Sequence, residues 1–500
     1  MERKNNLCFP LFCLACAGGF LLFCSKSSPL YPMNDWVDVN CFFTMGRSML
    51  DGKVPYRDLY EQKGPILYFF YAFLSLFGRH TFLGVYLAEV VTYGAFLYLS
   101  GKIARLYLGN SLAVYFLVAL EGGLIAVSMA FAHGASVEEM CLFCSAYGLY
   151  VVLKAQKEGR FLSFWEAFFC GLCAAVLLWV KYTMLGLYLG LAIFIALWYL
   201  LQGFQWKKLL ITIGGFFAGM VAVSAVVVLY FAAKGALRDL WTVYFYNNIF
   251  LYPRETETSR LQSIWQSVQN MVAWNPWYSR LFLPGLVWAL WRCFQHKGFE
   301  PSLLALCFLG LSLGTYWGGW AMPYYGLVFA VFAVFGLIPI FRLLQWLWEK
   351  AKLTSHTSLV WYYLPLAVLG MTLLCVKNSR NTYLMRYAKE DLPQYKFAET
   401  IRAQGGTSLM NYGFLDGGFY YASGIEPEGP FFCTLNVQAP EMWDSQSAAI
   451  TEGKVDFFVT RTYLMEHYWG IRGSDYRLVQ SASMYFEGVN FTYYLYQKNP

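Results

Sequence analysis

Apolar residues run along this chain in blocks, and short segments between the blocks hold most of the charges. Helical blocks of about 20 residues match the thickness of a bilayer's hydrocarbon core. Membrane-spanning strands would instead alternate apolar and polar residues over about ten positions, and the chain lacks that pattern. The pattern predicts about eleven spanning helices, at residues 7–24, 82–100, 111–131, 137–153, 162–180, 183–201, 209–232, 280–294, 301–317, 323–342 and 358–376.

Lysine and arginine predict how these spans are oriented. If the N-terminus is cytoplasmic, every inner loop carries basic residues, as the positive-inside rule requires. They include Arg3, Lys4, Lys102, Arg105, Lys154, Lys157, Arg160, Lys207, Lys208, Arg292, Arg342 and Lys350. The same parity places the tail outside the cell. A cleaved signal peptide at 7–24 is the alternative, but "LLFCSKSS" lacks small residues at the cleavage positions.

Composition supports an integral membrane protein. The chain has 500 residues, of which 58% are hydrophobic and only 13% charged, too few to cover a soluble protein of this length. The net charge of +7 follows from the inner loops and does not indicate a nucleic-acid partner. Three C-x-x-C pairs among the 13 cysteines lie inside apolar blocks, which predicts packing rather than metal or redox chemistry. Cys41 and Cys433 fall outside the blocks, and the sequence leaves open whether they pair.

The blocks divide the chain into a membrane domain at residues 1–376 and a water-soluble tail at 377–500. In the tail, "PQYKFAETIRAQGG" has helical spacing and ends on glycines. The runs "TSLMNYG", "GFYYASG", "KVDFFVT" and "FTYYLYQK" are strand-like and bounded by turn residues. The predicted fold is therefore an all-α polytopic membrane protein with a small extracytoplasmic α/β domain at its C-terminus.

The first outer loop, residues 25–81, is predicted to hold two short helices. "CFFTMGRSML" places Phe42, Met45 and Met49 on one face and Arg47 opposite, as in a helix lying in the membrane interface. "GPILYFFYAFLSLFG" is too short to span comfortably, and Pro65 suits a first helical position. Lys63 would then lie at a helix N-terminus, where backbone N–H groups favour an anion.

Polar residues of several loops share the predicted outer face. They are Asp35, Asp38, Asp58 and Lys63 in the first loop, His133, Glu138 and Glu139 in "FAHGASVEEM", Lys181 in "LLWVKYTMLG", and Tyr324 and Tyr325 before the tenth span. Lys181 interrupts a long apolar stretch, where an ionisable side chain is costly and usually functional. The alternative is a lysine that extends from a turn to the headgroups.

Simpler explanations also exist for the other candidates in these turns. One of Glu138 and Glu139 is expected to stabilise the N-terminus of the fourth span, leaving the other to face a cavity. His133 is more often a solvated loop residue than a ligand. Together, carboxylates and cations at one headgroup level suit transfer of a group from a lipid phosphate. A carboxylate can accept the proton of an attacking hydroxyl, and cations can neutralise a departing phosphate.

The loop sequence "DVNCFFTMGRSML", followed by "RDLYEQKGPILYFFYAFLSLFG", resembles the membrane glycosyltransferases of the GT-C superfamily. Protein O-mannosyltransferases and bacterial aminoarabinose transferases are the most similar in pattern. The resemblance implies that Asp38 is the catalytic base and Arg47 the arginine of the following helix. Asp35 is the base if the register is one turn earlier. "KGP" at Lys63 stands where those families have lysine–proline–proline.

Two further turns carry the same resemblance. "SVEEM" resembles the acidic turn after the third span of those families, and "VKYT" resembles their lysine-containing turn. The resemblance implies that Lys63, Lys181 and Arg47 contact the phosphate of a polyprenyl-phosphate-sugar donor. It also puts Glu139 forward. The candidates for binding the acceptor or a divalent cation, Mg²⁺ or Mn²⁺, are Glu138, Glu139, His133, Asp58, Tyr324 and Tyr325.

The function predicted from the sequence is an inverting glycosyltransferase of a bacterial cell membrane. It would move a sugar from a polyprenyl-phosphate donor to a hydroxyl of an envelope glycan, lipid or protein. An O-antigen-ligase-like enzyme, which takes a diphosphate-linked polymer, is the nearest alternative. A lipid-linked sugar transporter or flippase would show internal repeats and charges near the midplane, which the sequence lacks. A non-catalytic polymer-binding protein is the third alternative.

Overall fold

The computed structural model describes residues 2–203, 205–251, 258–295, 298–351, 357–437, 439–461, 475–486 and 488–500. Every predicted span coincides with a helical segment. The segments are α1 Glu2–Cys24, α4 Leu83–Leu108, α5 Ala113–Ala126, α6 Val137–Met140 with α7 Leu142–Lys157, α8 Phe164–Lys181, α9 Gly186–Leu201, α10 Trp206–Ala233, α14 Phe282–Phe294, α15 Glu300–Tyr316, the 3₁₀ segment Pro323–Phe332 with α16 Ala333–Lys350, and α17 Thr357–Asn378. The helices α11 Leu237–Asp239, α12 Arg260–Trp274 and α13 Pro276–Ser279 lie between α10 and α14 in the chain.

The membrane character of these helices is confirmed by length and composition. In the described part of the chain, four segments are long and apolar enough to cross a bilayer: Leu83–Leu108, Phe164–Leu201, Trp206–Ala233 and Pro323–Lys350. Several shorter apolar helices accompany them. The predicted fold class, an all-α polytopic membrane protein with a small C-terminal sheet, is therefore confirmed.

The chain forms two compact units, each made of three separate segments. The first unit comprises Met1–Ser25, Tyr86–Val226 and Arg254–Thr382, and the second comprises Lys26–Val85, Val227–Pro253 and Tyr383–Pro500. The second unit thus contains both the first outer loop and most of the tail. The predicted domain boundary between residues 376 and 377 follows membrane crossings rather than compactness, and it stays a prediction.

In the first unit, α9 and α15 pack through glycines. A Cβ added to Gly186 would lie 2.0 Å from the Gly310 carbonyl oxygen, and one added to Gly310 would lie 2.1 Å from the Gly186 carbonyl oxygen. Gly190 and Gly314 make similarly close approaches to the facing backbone. Small residues spaced four apart allow two helices in a membrane to reach this separation. A side chain at these positions would force the helices apart.

The long apolar segment Phe164–Leu201 is interrupted at Lys181, as its sequence predicts. Helix α8 ends there, Tyr182–Leu185 form a 3₁₀ turn, and α9 begins at Gly186. The polar residue thus lies where the helical hydrogen-bond pattern changes. This break fixes the position of the Lys181 side chain at the end of a rigid helix.

In the second unit, α2 (Val37–Leu50) packs against α3 (Pro65–Ser75), which begins at the predicted proline. A Cβ on Gly46 would lie 2.5 Å from the Ala72 nitrogen, so the helices touch at this glycine. Ten consecutive residues of α2, from Val39 to Ser48, are buried. The prediction that Arg47 lies on an exposed polar face, opposite an apolar one, is therefore wrong, while the position of this helix at the membrane interface stays a prediction. Protein surrounds this stretch of α2 on every side.

In its described residues, the tail adds three α-helices, α18 Pro393–Ala403, α19 Phe419–Ser423 and α20 Pro440–Thr451, and a sheet of four strands. The strands are β1 Leu409–Asn411, β2 Phe457–Thr460, β3 Tyr476–Phe486 and β4 Val489–Lys498, in the order β1-β2-β4-β3. The β1–β2 pair is parallel, and the other two pairs are antiparallel. The sequence predicted α18, β1, β2 and β4 correctly.

The run "GFYYASG", predicted as a strand, is instead the helix α19. Gly418 and Gly424 flank it with φ values of 87° and 77°, so the chain turns at both ends and leaves only one helical turn between them. Phe419, Tyr420 and Tyr421 are all buried, and an unbroken apolar run is compatible with either structure. The wrong prediction came from reading an apolar run without alternation as a strand.

Candidate active site

Asp38 lies in the first turn of α2 and is half-buried. A carboxylate in this position is stabilised by the partial positive charge of the helix N-terminus. Trp36 directly precedes the helix, and its backbone N–H donates to Oδ1 of Asn34 at 2.9 Å. The turn that presents Asp38 is therefore fixed by backbone hydrogen bonds, while its carboxylate stays partly accessible. Its role as the base remains a prediction.

Asp35, the alternative base, lies in a different environment. Its Oδ1 is 2.6 Å from Nζ of Lys26, and both side chains are 1% exposed. The Tyr383 hydroxyl donates to Oδ2 at 2.9 Å, and Nζ of Lys26 lies 4.5 Å from the centroid of the Phe486 ring. A buried carboxylate held by a cation and a phenol is placed to tie two segments of this unit together, Lys26–Val85 and Tyr383–Pro500. This geometry favours a structural role for Asp35.

Lys63 is half-buried and lies two residues before the first residue of α3. Its backbone N–H donates to Oε2 of Glu61 at 2.9 Å, and its carbonyl accepts from the hydroxyls of Tyr56 and Tyr68 at 2.6 and 3.0 Å. Tyr68 also donates to Oε2 of Glu61. The backbone of Lys63 is thus fixed by three buried side chains. Sequence reasoning missed Glu61, although it stands two residues before the lysine in "YEQKGP".

Arg47, predicted to contact the donor phosphate, is an ion-pair partner within this unit. Its Nε lies 2.6 Å from Oε1 of Glu426, and Nη2 donates at 3.1 Å to the carbonyls of Tyr420 and Ile425. The arginine side chain is 1% exposed, and that of Glu426 is 28% exposed. The guanidinium therefore connects α2 to the tail. This arrangement favours a structural role over phosphate binding.

Arg47→Gln is expected to lower the free energy of unfolding by about 3 kcal/mol, because it leaves a partly buried carboxylate and two carbonyls without their donor. Arg79→Gln is the matched control. Arg79 pairs with Asp51 in the same unit, but both side chains are more than a third exposed, at 41% and 34%. That pair is worth about 0.5 kcal/mol. Thermal unfolding in detergent checks the difference, and equal midpoints for the two variants would contradict the structural role.

Asp58 caps a loop in this unit. It accepts from the Val54 N–H at 2.7 Å, and Arg57 donates to both carboxylate oxygens at 2.8 and 2.9 Å. These hydrogen bonds from Arg57 hold the pKa of Asp58 below its ordinary value.

Cys41 and Cys433 lie close together as two buried thiols, with their sulfurs 3.7 Å apart. Burial raises the pKa of both thiols.

In the first unit, Lys181 joins three of the predicted residues. Its Nζ lies 2.5 Å from Oε1 of Glu138, 3.6 Å from the centroid of the Tyr325 ring and 5.9 Å from that of Tyr324. The Lys181 side chain is 13% exposed and that of Glu138 is 2% exposed. Because an ammonium has three donors, the pairing with Glu138 does not use up its capacity. Two half-buried tyrosines thus lie beside the ammonium of Lys181, which is paired with Glu138.

Glu139 is fully buried next to a carboxylate that the sequence analysis missed. Its carboxyl faces that of Glu89 in these buried surroundings. Glu89 accepts from the Ser25 hydroxyl at 2.7 Å and from the Ala135 N–H at 2.6 Å. An acid inside an apolar helix is the same signal that singled out Lys181, so Glu89 could have been found.

Gly134 explains why the turn between these groups takes its shape. It has a φ of 71°, and a Cβ there would lie 2.5 Å from Oγ of Ser25 and 2.7 Å from Oε1 of Glu89. Only glycine fits this position without displacing the buried carboxyl. The half-buried His133 precedes it directly. The "HGA" turn is therefore held against Glu89.

Two of the predicted acceptor or metal ligands in the first unit have different partners. Glu138 pairs with Lys181, and Glu139 lies against Glu89. Across the residues that the structure describes, no three His, Cys, Asp or Glu side chains converge as metal ligands would. A divalent cation bound by this protein therefore stays a prediction.

Comparison with solved structures identifies the fold. ArnT from Cupriavidus metallidurans in the apo state aligns with a TM-score of 0.63 over 99% of this chain and 98% of its own, at 11% identity. The same protein bound to undecaprenyl phosphate aligns with a TM-score of 0.57 over 97% of both chains, also at 11% identity. No family model matches the chain. No curated protein sequence matches it.

The chain therefore shares the fold of ArnT. The likeness covers the tail as well as the membrane helices, since nearly the whole length of both chains aligns.

Proposed function

We propose that this protein is a glycosyltransferase that takes a sugar from a polyprenyl-phosphate donor and inverts the anomeric configuration. The observation that carries the proposal is the full-length likeness to ArnT, a protein solved with undecaprenyl phosphate bound. Two features of the chain support it. Asp38 is a half-buried carboxylate on a fixed helix turn, and Lys181 is a lysine held at the end of an apolar helix.

In the proposed reaction, the Asp38 carboxylate takes the proton of the acceptor hydroxyl as that oxygen attacks the anomeric carbon. The bond from this carbon to the phosphate oxygen breaks, and the lipid monophosphate leaves. Lys63 and Lys181 are proposed to stabilise the charge that develops on the departing phosphate. Glu61 holds the Lys63 backbone and Glu138 holds the Lys181 ammonium, so both are proposed as positioning residues. The acceptor is proposed to be a hydroxyl of an envelope glycan, lipid or protein.

A transfer assay with the purified protein in lipid nanodiscs tests the donor class. The donors are one sugar carried on a polyprenyl monophosphate, on a polyprenyl diphosphate, or on a nucleotide, offered with a mixed extract of cell-envelope acceptors. Transfer from the monophosphate alone is expected, with the product's anomeric configuration opposite to the donor's by NMR. Transfer only from the diphosphate would replace the proposal with an O-antigen-ligase-like activity. Movement of the lipid across the bilayer without transfer would indicate a flippase.

A further inference from the structure

A basic cavity lies in the first unit, near the end of α8 that is opposite to Lys181. A cavity of about 770 Å³ is lined by Tyr107, Lys157, Trp288, Trp291, Arg292 and Arg342, among others. Lys157 ends α7, α8 begins at Phe164 after a short loop, and Lys181 is its last residue. Helix α8 has 18 residues and rises about 27 Å. The cavity is therefore about one hydrocarbon thickness away from Lys181.

Cations outnumber acids on the cavity wall. Nη1 of Arg342 donates to the Tyr107 carbonyl at 2.7 Å, and Nζ of Lys157 donates to the Leu106 carbonyl. Arg292 pairs through Nε with Oε1 of Glu300 at 2.9 Å. The lining thus carries three cations, and one buried carboxylate balances only one of them.

Capping explains part of this arrangement. Tyr107 and Leu106 lie in the last turn of α4, whose carbonyls carry partial negative charge and attract cations. Each cap uses one donor, whereas a guanidinium has five and an ammonium three. Capping of the α4 end by Lys157 and Arg342 would also not require a cavity beside it. Lys157 and Arg342 also line a space large enough for a headgroup.

The rim of the cavity is apolar. Trp291, Val287, Leu343 and Ile340 line it and are 55%, 58%, 55% and 40% exposed. In a membrane protein, exposed apolar side chains of this kind contact lipid, and tryptophan is enriched at headgroup level. The wall therefore offers positive charge inside and hydrocarbon contacts outside. A ligand that matches both is an amphiphile with an anionic head.

We propose that this cavity binds an anionic phospholipid, with its phosphate between Lys157 and Arg342 and its acyl chains along Trp291 and Leu343. Basic pockets between membrane helices are suited to such headgroups. Arg292 stays with Glu300 and supplies the third positive charge. The site is separate from the proposed transfer reaction, so the inference stands whether or not the protein transfers a sugar.

Native mass spectrometry of the full-length protein, with phosphatidylglycerol and phosphatidylcholine of identical acyl chains, tests the proposal. One phosphatidylglycerol is expected to stay bound where phosphatidylcholine is lost. Arg342→Gln and Lys157→Gln should each weaken its retention about fivefold, the effect of one cation near an anionic lipid. The matched control is Lys350→Gln, which removes an exposed lysine from the same helix, α16, outside the cavity. It should leave retention unchanged.

Other outcomes contradict the proposal. Equal retention of both lipids, or unchanged retention in Arg342→Gln and Lys157→Gln, would overturn it. An equal loss in Lys350→Gln would show a diffuse surface charge rather than a site. Inorganic phosphate in excess is added as a competitor. If inorganic phosphate displaces the lipid fully, the cavity binds free phosphate and the lipid proposal fails. Lys157→Gln keeps the test decisive if Arg342→Gln does not fold, because the two residues are on different helices.

Discussion

Asp38→Asn is expected to lower the rate of sugar transfer about 10²- to 10⁴-fold, the contribution of a positioned general base. Asparagine keeps the shape of the side chain and removes its basicity, so donor binding should persist. The measurement is the rate of transfer to saturating acceptor, with donor affinity and unfolding temperature determined on the same preparation. A variant that transfers at the normal rate would remove Asp38 from the mechanism.

Asp35→Asn is the parallel experiment, since the sequence alone leaves either aspartate as the base. It breaks the buried pair with Lys26, which costs about 3–5 kcal/mol of stability. We therefore expect a lower unfolding temperature and a near-normal rate for each folded molecule. The reverse result, an unchanged unfolding temperature with abolished transfer, would identify Asp35 as the base and Asp38 as a helix-end charge.

The second large effect is expected at Lys181. Lys181→Gln should slow transfer about 10²-fold if the ammonium stabilises the departing phosphate. Its pairing with Glu138 offers another explanation for any loss, because removal of the lysine leaves a buried carboxylate unpaired. Lys181→Arg is not an equivalent replacement, since a planar guanidinium needs a different geometry from a compact ammonium.

A double-mutant cycle with Glu138→Gln separates the two explanations. If Lys181 contacts the donor, the double variant transfers the sugar as slowly as Lys181→Gln does, and the transfer rate stays low at saturating donor. If the lysine only neutralises Glu138, the double variant should regain most of the activity that Lys181→Gln lost. Unfolding temperatures of all four proteins show whether misfolding contributes. Full recovery of the transfer rate in the double variant would show that Lys181 acts only as the ion-pair partner of Glu138.

The sequence was sufficient for the helices because long apolar blocks report directly on membrane burial. The turn at Lys181 and the start of α3 at Pro65 were predictable for the same reason, as each breaks a strong local pattern. The burial of α2 was not predictable. Arg47 looked like a polar-face residue because its partner, Glu426, is far away in the chain, and no local spacing records that pair.

The candidate site shows the same limit. Lys181 and the paired glutamates stood out as polar residues beside apolar blocks, but their partners did not. The sequence did not identify Lys26 as a partner of either aspartate, although its ion pair with Asp35 distinguishes that residue from Asp38. Glu89 was passed over inside a helix that otherwise looked ordinary. A residue's type can be read from the sequence, but the partner that determines its charge state depends on contacts distant along the chain.

The discontinuous second unit has a consequence for how the protein is made. The helix that carries Asp38 leaves the ribosome early, yet Arg47 on that helix can find Glu426 only after the chain has grown almost to its end. Until then, α2 has no partners for its buried polar groups from the tail. A truncated chain that ends near Thr382 is thus expected to insert its membrane helices but to leave the loop with Asp38 unfolded. Synthesis of the segment from Tyr383 onward would be the step that supplies the partners of α2.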